Sequence, residues 1–329
     1  MTFFFGGNPT SDYDVISERH RNGYGLNFAT IFHATPIRVN HMKATCILNA
    51  RNLLGEGPVW DDRSQDLYWV DIKKPAIHRL NPSTGQQKTW HMPEPVGCIS
   101  LRESGNLVAG FKSGFHFVNL DSGARSTIVN PEPDRPGNRF NDGKCDALGR
   151  LWAGTMDDSE KEPSGAMYRL NPDLSWHRLD TGYTVFNGPA FSRDGKTVFH
   201  TDSALRTVYA SRIHSDGSIR DKRPFIQLRE SEGYPDGMTV DADDCIWLAH
   251  WDGWRITRYS PQGEVVTRLD LPAARITSCA FGGPDLSLLF ITSASIGLNE
   301  RQLAEQPLAG GVFQVETNTR GLPTCRFAG

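Results

Sequence analysis

The segment Arg139–Gly154, RFNDGKCDALGRLWAG, shows the pattern from which the fold of this 329-residue chain can be predicted. It begins with a cation, an amide and a carboxylate, Arg139, Asn141 and Asp142, and continues as two short apolar segments around a polar turn. Apolar and aromatic residues around Asp, Asn or Gly are typical of a β-hairpin. A polar cluster that leads into a hairpin suits the mouth of a cavity better than a packed core. We therefore predict a strand whose first residues carry functional side chains.

The same layout occurs six times from Ala44 onward, each time as a hairpin followed by a third and a fourth strand. One apolar residue of the second strand marks each unit, and we take as equivalent Trp69, Val108, Trp152, Phe199, Trp247 and Phe290. Their spacing of roughly 40 to 50 residues is typical of the four-stranded blades of a β-propeller. The predicted fold class is therefore all-β, a six-bladed β-propeller.

The start of the regular pattern divides the chain into two predicted parts. Residues 1–43 form an N-terminal extension, predicted to be partly disordered, because they show neither helical nor strand periodicity. Residues 44–329 form the propeller. A propeller must join its first and last blades, since an open ring leaves bare strand edges. We predict that Thr45–Leu48 closes the ring as the outer strand of the last blade, which ends near Gly321–Phe327.

Composition and charge narrow the possible partners and the compartment. The chain has 38% hydrophobic and 22% charged residues, and its net charge of −3 gives no reason to expect nucleic acid or an anionic membrane. No apolar run approaches the ~18 residues that a membrane-spanning helix needs. No two of the six cysteines form a C-x-x-C pair. The sequence also shows no recognisable signal peptide. We predict a cytoplasmic protein, a monomer or a small homo-oligomer.

Side chains that carry oxygen recur at the head of the first strand in four of the six units, as Glu56, Asn141, Asn187 and Asp236. Since the first strands of a propeller surround one channel, we expect the four to converge at one end of it. Buried carboxylates that face each other need a counter-charge, and carboxylate and amide oxygens are ligands for Ca²⁺, Mg²⁺ or Mn²⁺. Each residue alone is typical of a turn, and only their shared place in the repeat indicates a divalent-cation site.

Motifs spread over Leu54–Leu298 resemble those of the senescence marker protein/regucalcin/gluconolactonase family of six-bladed propellers. The matching segments are Gly55–Pro58, Arg139–Lys144, Gly154–Met156, Asn187–Gly188, Pro235–Met238 and Ser278–Gly283. The resemblance implies a lactonase, an enzyme of the gluconolactonase type that hydrolyses a sugar lactone. The contexts of two segments, His200–Ser203 and Tyr234–Asp236, are more similar to bacterial aldonolactonases.

The resemblance also implies roles for individual residues. One divalent cation would be held by Glu56, Asn187 and Asp236, with Ca²⁺ expected first and Mg²⁺, Mn²⁺ or Zn²⁺ as alternatives. The substrate would be bound by Arg139 and Asn141. Many family members carry a substrate-contacting Glu shortly after Gly-Thr-Met. Here three acids follow that run, and the sequence leaves open which of them reaches the site: Asp157, Asp158 or Glu160.

The predicted reaction is hydrolysis of an aldonolactone to the aldonic acid, with Asp236 as the candidate base that takes a proton from the attacking water. One alternative is an organophosphate or aryl-ester hydrolase with the same cation site. Another is a calcium-binding regulatory propeller without turnover. We favour an enzyme because a structural ion does not need a neighbouring Arg139. A serine triad is not expected, since Gly-x-Ser-x-Gly is absent, and His200 beside Asp202 is predicted to pack.

Overall fold

The computed structural model describes residues 42–329. Within this range 24 strands form six four-stranded antiparallel sheets, and the first strands of neighbouring blades contact one another around a channel. The predicted six-bladed β-propeller is therefore confirmed. Residues 1–41 lie outside the described range, so the extension predicted over 1–43, and its disorder, stay predictions.

Each blade runs outward from the channel in chain order, except that the last blade borrows its outer strand from the start of the domain. Blade 1 comprises β2 Gly55–Asp61, β3 Asp66–Asp71, β4 Ala76–Leu80 and β5 Gln87–His91. Blade 2 comprises β6 Val96–Leu101, β7 Leu107–Phe111, β8 Gly114–Val118 and β9 Arg125–Val129. Blade 3 comprises β10 Asn138–Cys145, β11 Leu151–Asp157, β12 Gly165–Leu170 and β13 Trp176–Tyr183. Blade 4 comprises β14 Phe186–Phe191, β15 Thr197–Asp202, β16 Thr207–Ile213 and β17 Ile219–Gln227. Blade 5 comprises β18 Tyr234–Val240, β19 Ile246–Trp251, β20 Arg255–Tyr259 and β21 Val265–Asp270. Blade 6 comprises β22 Ile276–Gly282, β23 Leu288–Ser293, β24 Val312–Glu316 and β1 Thr45–Leu48.

Helical structure is confined to short connections. In the described range the α-helix α1 spans Glu300–Glu305, and 3₁₀ turns lie at Ser203–Leu205 and Glu230–Glu232. The side chain of Asn299 accepts a hydrogen bond from the backbone N–H of Gln302, which caps the start of α1. None of the helices between residues 42 and 329 is long and apolar enough to cross a membrane.

The ring closes as predicted. β1 pairs antiparallel with β24, with Thr45 opposite Gln314, so the last blade is completed by the first strand of the domain. The predicted end of that blade was wrong, because β24 already ends at Glu316. Residues 317–329 instead leave the blade as a C-terminal tail, which the strand pattern of the repeat does not anticipate.

The polar residues at the heads of the first strands, here called the polar heads, are Glu56, Asn141, Asn187 and Asp236. The C-terminal tail crosses the opposite end of the channel. Residues 322–325 line a cavity of about 120 Å³ together with Lys144 and Thr239, which follow the heads along their strands. The backbone N–H of Phe327 donates to Leu101 at 2.8 Å, and the guanidinium of Arg326 binds the carboxylate of Asp61 at 2.5 Å. The tail therefore ties blades 1 and 2 together from below.

Replacing Phe327 with Ala is expected to lower the free energy of unfolding by about 3–5 kcal/mol. The ring is fully buried and packs in one cluster with Phe115 and Phe140, so its loss leaves a cavity. Urea denaturation measures the change. Leu148→Ala is the matched control, because Leu148 lies in a turn of the same region, is 69% exposed, and is expected to change stability by less than about 0.5 kcal/mol. A loss below about 1 kcal/mol for Phe327→Ala would contradict a packed tail.

One extra residue interrupts the pairing of the first strand in every blade, at or just after its head. In blade 1, Glu56 lies opposite Val70 and Val59 lies opposite Tyr68. The first strand therefore advances by three residues while its partner strand advances by only two. The other five blades show the same kind of shift. A β-bulge of this kind re-aims a side chain, and here it turns the heads toward the channel.

The register also corrects the predicted alignment of the repeat. In blade 3 the residue three positions after Asn141 pairs with Trp152, and in blade 1 the residue three positions after Glu56 pairs with Tyr68. Tyr68 is therefore the equivalent of Trp152, and Trp69 faces the other side of the sheet. The shift arises because the hairpin of blade 1 is one residue longer than that of blade 3.

Candidate active site

The predicted site residues lie together in one cavity at the head end of the channel. The cavity has a volume of about 310 Å³ and is lined by residues of blades 1, 3, 4 and 5, among them Glu56, Arg139, Asn141, Asn187 and Asp236. All five are buried, with 2–6% of their surface exposed. The sequence prediction that side chains far apart in the chain converge here agrees with this geometry.

Blade 2 sends no side chain into this cavity within residues 42–329, and its head shows why. A Cβ on Gly97 would lie 2.2 Å from the carbonyl oxygen of Phe140. The backbones of β6 and β10 therefore approach too closely for any side chain at this position. Among the described residues, blade 2 therefore contributes no polar head to the cavity.

A chain of hydrogen bonds connects the heads of blades 3, 4 and 5. Asn141 Nδ2 donates to Asn187 Oδ1 at 3.0 Å, and Asn187 Nδ2 donates to Ser203 Oγ at 2.9 Å. The hydroxyl of Ser203 in turn donates to the carbonyl of Pro235 at 2.6 Å. These bonds fix the amide of Asn187 with its oxygen toward Asn141. Sequence reasoning missed Ser203, because it lies in a 3₁₀ turn with no counterpart in the repeat.

The two head carboxylates are buried without matching donors. Glu56 Oε2 accepts a bond from the backbone N–H of Gly57 at 3.1 Å, and no side chain in residues 42–329 donates to Glu56 or Asp236. Burial, followed by repulsion from Asp142, raises the pKa of Glu56 well above its ordinary value. Burial, followed by repulsion from Glu56, does the same to the pKa of Asp236. Protonation or a bound cation would relieve this repulsion.

Asp142 lies below the two carboxylates and orders the backbone. Its Oδ1 accepts from the N–H of Gly143 at 2.7 Å and its Oδ2 from that of Gly188 at 3.0 Å, which joins β10 to β14 directly after Asn187. Burial raises the pKa of Asp142 to about 6, although the nearby ammonium of Lys144 opposes the shift.

The donor set fits a hard divalent cation. In residues 42–329 no three His, Cys, Asp or Glu side chains form a metal-binding cluster, and the predicted set has only two carboxylates. Its third member is the amide oxygen of Asn187, so all the donor atoms are oxygens. Two buried carboxylates that repel each other and lack side-chain donors are what a cation with oxygen ligands would neutralise. Glu56, Asn187 and Asp236 are thus compatible with the predicted role.

In the cation-free protein, Glu56 is expected to reduce stability as the pH rises. A carboxylate whose pKa is raised by folding binds more protons in the folded state, so its stabilising contribution is present below its unfolded pKa, near 4, and is lost as the pH rises through its folded pKa. In chelator, the free energy of unfolding of Glu56→Gln relative to that of the wild type should therefore increase by about 1 kcal/mol or more from pH 4 to pH 8. Urea denaturation at both pH values measures this. A difference that does not change with pH would contradict the raised pKa.

Three of the five guanidinium hydrogens of Arg139 are used within the described residues. Arg139 Nε donates to Asp158 Oδ1 at 2.5 Å, and Nη1 donates to the carbonyl of Phe140 at 3.1 Å and to Asn141 Oδ1 at 2.6 Å. Nη2 has no partner in residues 42–329. Because the side chain lines the cavity, the two Nη2 hydrogens are the donors left for a ligand.

Asn141 holds its neighbours in place. Its Nδ2 donates to the carbonyl of Phe186 at 2.7 Å and to Asn187, and its Oδ1 accepts from Arg139. Both of its amide hydrogens are therefore taken in the protein. The structure gives Asn141 the role of linking Arg139 to Asn187, and direct substrate binding by Asn141 stays a prediction.

The loop 157–164 forms one rim of the cavity, and its three acids point to different partners. Glu160 lines the cavity with a left-handed backbone, φ 58°. Asp158 turns to Arg139, whereas Asp157 accepts from the backbone N–H of Lys161 at 3.1 Å inside the loop. Of the acids that the sequence left undecided, Glu160 is the one that lines the cavity.

Aromatic side chains of blade 5 form the facing wall. Tyr234 and Trp251 line the cavity. The guanidinium of Arg206 lies 3.8 Å from the centre of the Tyr234 ring, and that of Arg275 lies 4.9 Å from the centre of the Trp251 ring. The stacked cations hold both rings in position.

His200 belongs to the packing between blades. Its two ring nitrogens are bonded to the hydroxyls of Tyr183 at 2.9 Å and Ser211 at 3.0 Å. Burial lowers the pKa of His200 to about 3. Asp202 accepts from the backbone N–H of Val185, not from His200. The predicted packing role of this histidine agrees with the structure, and a His–Asp catalytic pair is not formed.

Comparison with known proteins adds a family to this geometry. The family model described as SMP-30/Gluconolactonase/LRE-like region matches residues 54–295. The chain belongs to this family. The predicted resemblance is confirmed, and it extends over most of the propeller.

Relatives within the family include named lactonases. L-arabinolactonase of Azospirillum brasilense is 38% identical over 291 residues, 87% of this chain and 96% of that protein. 6-deoxy-6-sulfogluconolactonase of Pseudomonas putida is 35% identical over 285 residues, 86% and 98% of the two chains. The solved structure of the calcium-binding protein regucalcin from Agrobacterium tumefaciens has a TM-score of 0.83 at 26% identity and covers 87% of this chain and 97% of that one. The predicted class of enzyme, a lactonase, is confirmed.

Proposed function

We propose that this protein hydrolyses a sugar lactone to the aldonic acid with the help of one divalent cation. The observation that carries the proposal is the cavity itself, where Glu56 and Asp236 are buried without side-chain donors beside the amide of Asn187 and the free Nη2 of Arg139. Such a site combines a place for a cation with donors for a polar ligand. The named activities of the two lactonase relatives support the substrate class.

Glu56, Asn187 and Asp236 are the proposed cation ligands. Ca²⁺ is proposed first, because a solved relative is described as a calcium-binding protein, and Mg²⁺, Mn²⁺ and Zn²⁺ are the alternatives. When bound, the cation would polarise the lactone carbonyl and stabilise the negative charge that develops on its oxygen.

Asp236 is the proposed base. Its carboxylate has no side-chain donor among the described residues, so its lone pairs are available to a water molecule in the cavity. The water oxygen attacks the carbonyl carbon while its proton passes to Asp236. The bond between the carbonyl carbon and the ring oxygen then breaks, and the departing ring oxygen becomes a hydroxyl by taking the proton back from Asp236, which restores the carboxylate. A carboxylate near a cation is a weak base, which suffices for a reactive lactone.

Arg139 and the aromatic wall are proposed to orient the substrate. The two Nη2 hydrogens of Arg139 donate to oxygens of the lactone, and Asn141 keeps the guanidinium in place. Tyr234 and Trp251 offer ring faces to the C–H bonds of the sugar. Glu160 on the rim accepts from sugar hydroxyls. A neutral molecule rich in hydroxyl groups matches these contacts.

The proposal is tested by a panel of substrates followed in a pH-stat. Gluconolactone, arabinolactone and xylonolactone are compared with a phosphotriester and an aryl ester, each with Ca²⁺, Mg²⁺, Mn²⁺ or Zn²⁺. At least one aldonolactone is expected to be turned over faster than the phosphotriester and the aryl ester. Faster phosphotriester or aryl-ester turnover would favour the alternative hydrolase. No turnover of any substrate, with tight Ca²⁺ binding, would favour the regulatory calcium-binding propeller.

The compartment and the partners stay proposals. All six cysteines lie in the described range and all are free, which is typical of proteins in a reducing compartment such as the cytoplasm. The proposed partner is a small sugar lactone, with neither nucleic acid nor a membrane. A monomer or small homo-oligomer remains the prediction for the assembly.

A further inference from the structure

A pair of charged residues joins blades 1 and 3 across the head of blade 2. Lys73 lies in the turn between β3 and β4, and Asp158 lies in the loop between β11 and β12. Lys73 Nζ is 2.6 Å from Asp158 Oδ1, and Arg139 Nε is 2.5 Å from the same oxygen. One carboxylate oxygen therefore connects two cations, one of which is the proposed substrate-binding residue.

The contacts are shielded but remain charged. The side chain of Arg139 is 2% exposed, and those of Lys73 and Asp158 are 26% and 31% exposed. Burial opposes ionisation of Asp158, but the hydrogen bonds from Lys73 and Arg139 hold its pKa below the ordinary value. Two cations share one anion, so the group keeps a net positive charge at the rim of the cavity.

The bond to Asp158 fixes the direction of the free donors. A guanidinium is planar and rigid, so holding Nε on Asp158 and Nη1 on Asn141 also fixes the plane and direction of Nη2. Asp158 uses only Oδ1 in this contact. If Lys73 did not hold that oxygen, the carboxylate would be free to rotate and accept from Nε and Nη2 together, the bidentate arrangement that arginine and carboxylate favour. The Nη2 hydrogens would then be lost to the substrate.

We propose that Lys73 and Asp158 are positioning residues that keep the Nη2 hydrogens of Arg139 directed into the cavity. The inference rests on the proposed function, since it assumes that Arg139 binds the substrate. It specifies the ligand further: the substrate presents acceptor oxygens to a fixed pair of donors, as a polyhydroxy lactone does. The same bridge anchors the loop that carries Glu160 and closes the rim above blade 2, where no described side chain enters the cavity.

Kinetics of Lys73→Met test the inference on the lactone that the wild type hydrolyses fastest. KM is expected to rise about ten-fold, because charge-assisted hydrogen bonds to the substrate are lost. The kcat should change less than about three-fold, and the cation dissociation constant measured by calorimetry should stay within about two-fold, since Glu56, Asn187 and Asp236 are untouched. Lys73→Arg should restore at least half of the lost affinity. A purely structural role would not produce this split between KM and kcat.

Lys74→Met is the matched control. Lys74 is the next residue of the same turn, is exposed, and forms no ion pair in the described part of the chain. The control removes the same charge from the same turn and should leave KM unchanged. Asp158→Asn should also raise KM, and the double variant Lys73→Met/Asp158→Asn should be no worse than the worse single variant, because the residues act through one contact.

The outcomes separate this inference from the proposed function. A wild type without turnover of any lactone would overturn both. A folded Lys73→Met protein with wild-type KM, or equal increases for Lys73→Met and Lys74→Met, would overturn only the inference. If Lys73→Met does not fold, Lys73→Arg and Asp158→Asn decide it, and additive effects or an unchanged KM in Asp158→Asn would count against it.

Discussion

Replacing Asp236 with Ala is expected to lower turnover by about 10³-fold or more and to remove high-affinity cation binding. Asp236 is the residue that the proposal uses twice, as a cation ligand and as the base. Its carboxylate is 5% exposed, and repulsion from Glu56 adds to the burial that raises the pKa of Asp236 well above its ordinary value. A single substitution therefore removes a ligand, a base and half of the negative charge that attracts the cation.

The same substitution is not expected to unfold the protein. Without the cation, loss of one of two repelling carboxylates should leave Tm at neutral pH equal to or above that of the wild type. Turnover, calorimetric cation binding and Tm in chelator are measured on one preparation. Asp194→Asn is the control, because Asp194 is an exposed acid in the turn after β14, at the far end of the blade, and should behave as wild type. Full activity of Asp236→Ala would reject its assignment.

Removing the cation with a chelator is expected to reduce turnover to below about 1% of the initial rate, and adding Ca²⁺ or another suitable ion should restore it. The cation should also raise Tm, because a ligand that binds only the folded state stabilises it, by about 2.7 kcal/mol at a hundred times its dissociation constant. Because the ion relieves the repulsion between Glu56 and Asp236 and the cost of their burial, we expect its effect on Tm to be large.

Glu56→Gln separates this effect from unspecific ion binding. The variant should lose the rise in Tm with Ca²⁺ while it folds normally in chelator. Glu103→Gln is the matched control, because the Glu103 side chain is 53% exposed and pairs with Arg63 on the surface, and it should keep the full rise in Tm. Turnover that survives exhaustive chelation, with a Tm independent of added cations, would contradict a cation-dependent site.

The fold could be predicted from the sequence because the polar heads and the apolar second strands recur at regular positions in the repeat. The spacing of polar heads and apolar second strands indicated six blades, and Thr45–Leu48 was predicted as the closing strand because a propeller must join its first and last blades. The convergence of Glu56, Asn187 and Asp236 followed from their shared place in the repeat. In the structure this place is a β-bulge that aims each side chain at the channel.

The features that the sequence did not reveal are those that break the repeat. Tyr68 rather than Trp69 is equivalent to Trp152, because one added residue in a hairpin shifts the register and reverses the faces. The tail after Glu316 has no strand pattern, so its path below the channel depends on burial of Phe327.

Side-chain contacts between distant loops were equally hidden. Lys73 and Asp158 are 85 positions apart and lie in turns of different length, so no period places them together. Ser203 joins the site from a 3₁₀ turn. The occupied amide of Asn141 could be recognised only once its partners Phe186 and Asn187 were located in space.

The most direct test of the proposed cation site is the anomalous scattering of crystals grown with Mn²⁺, measured at the manganese absorption edge. We expect one strong peak at the head end of the channel, roughly 2.0 to 2.6 Å from oxygens of Glu56, Asn187 and Asp236. A peak bound by other residues, or no peak in this cavity at millimolar Mn²⁺ while the protein turns over lactone, would contradict it.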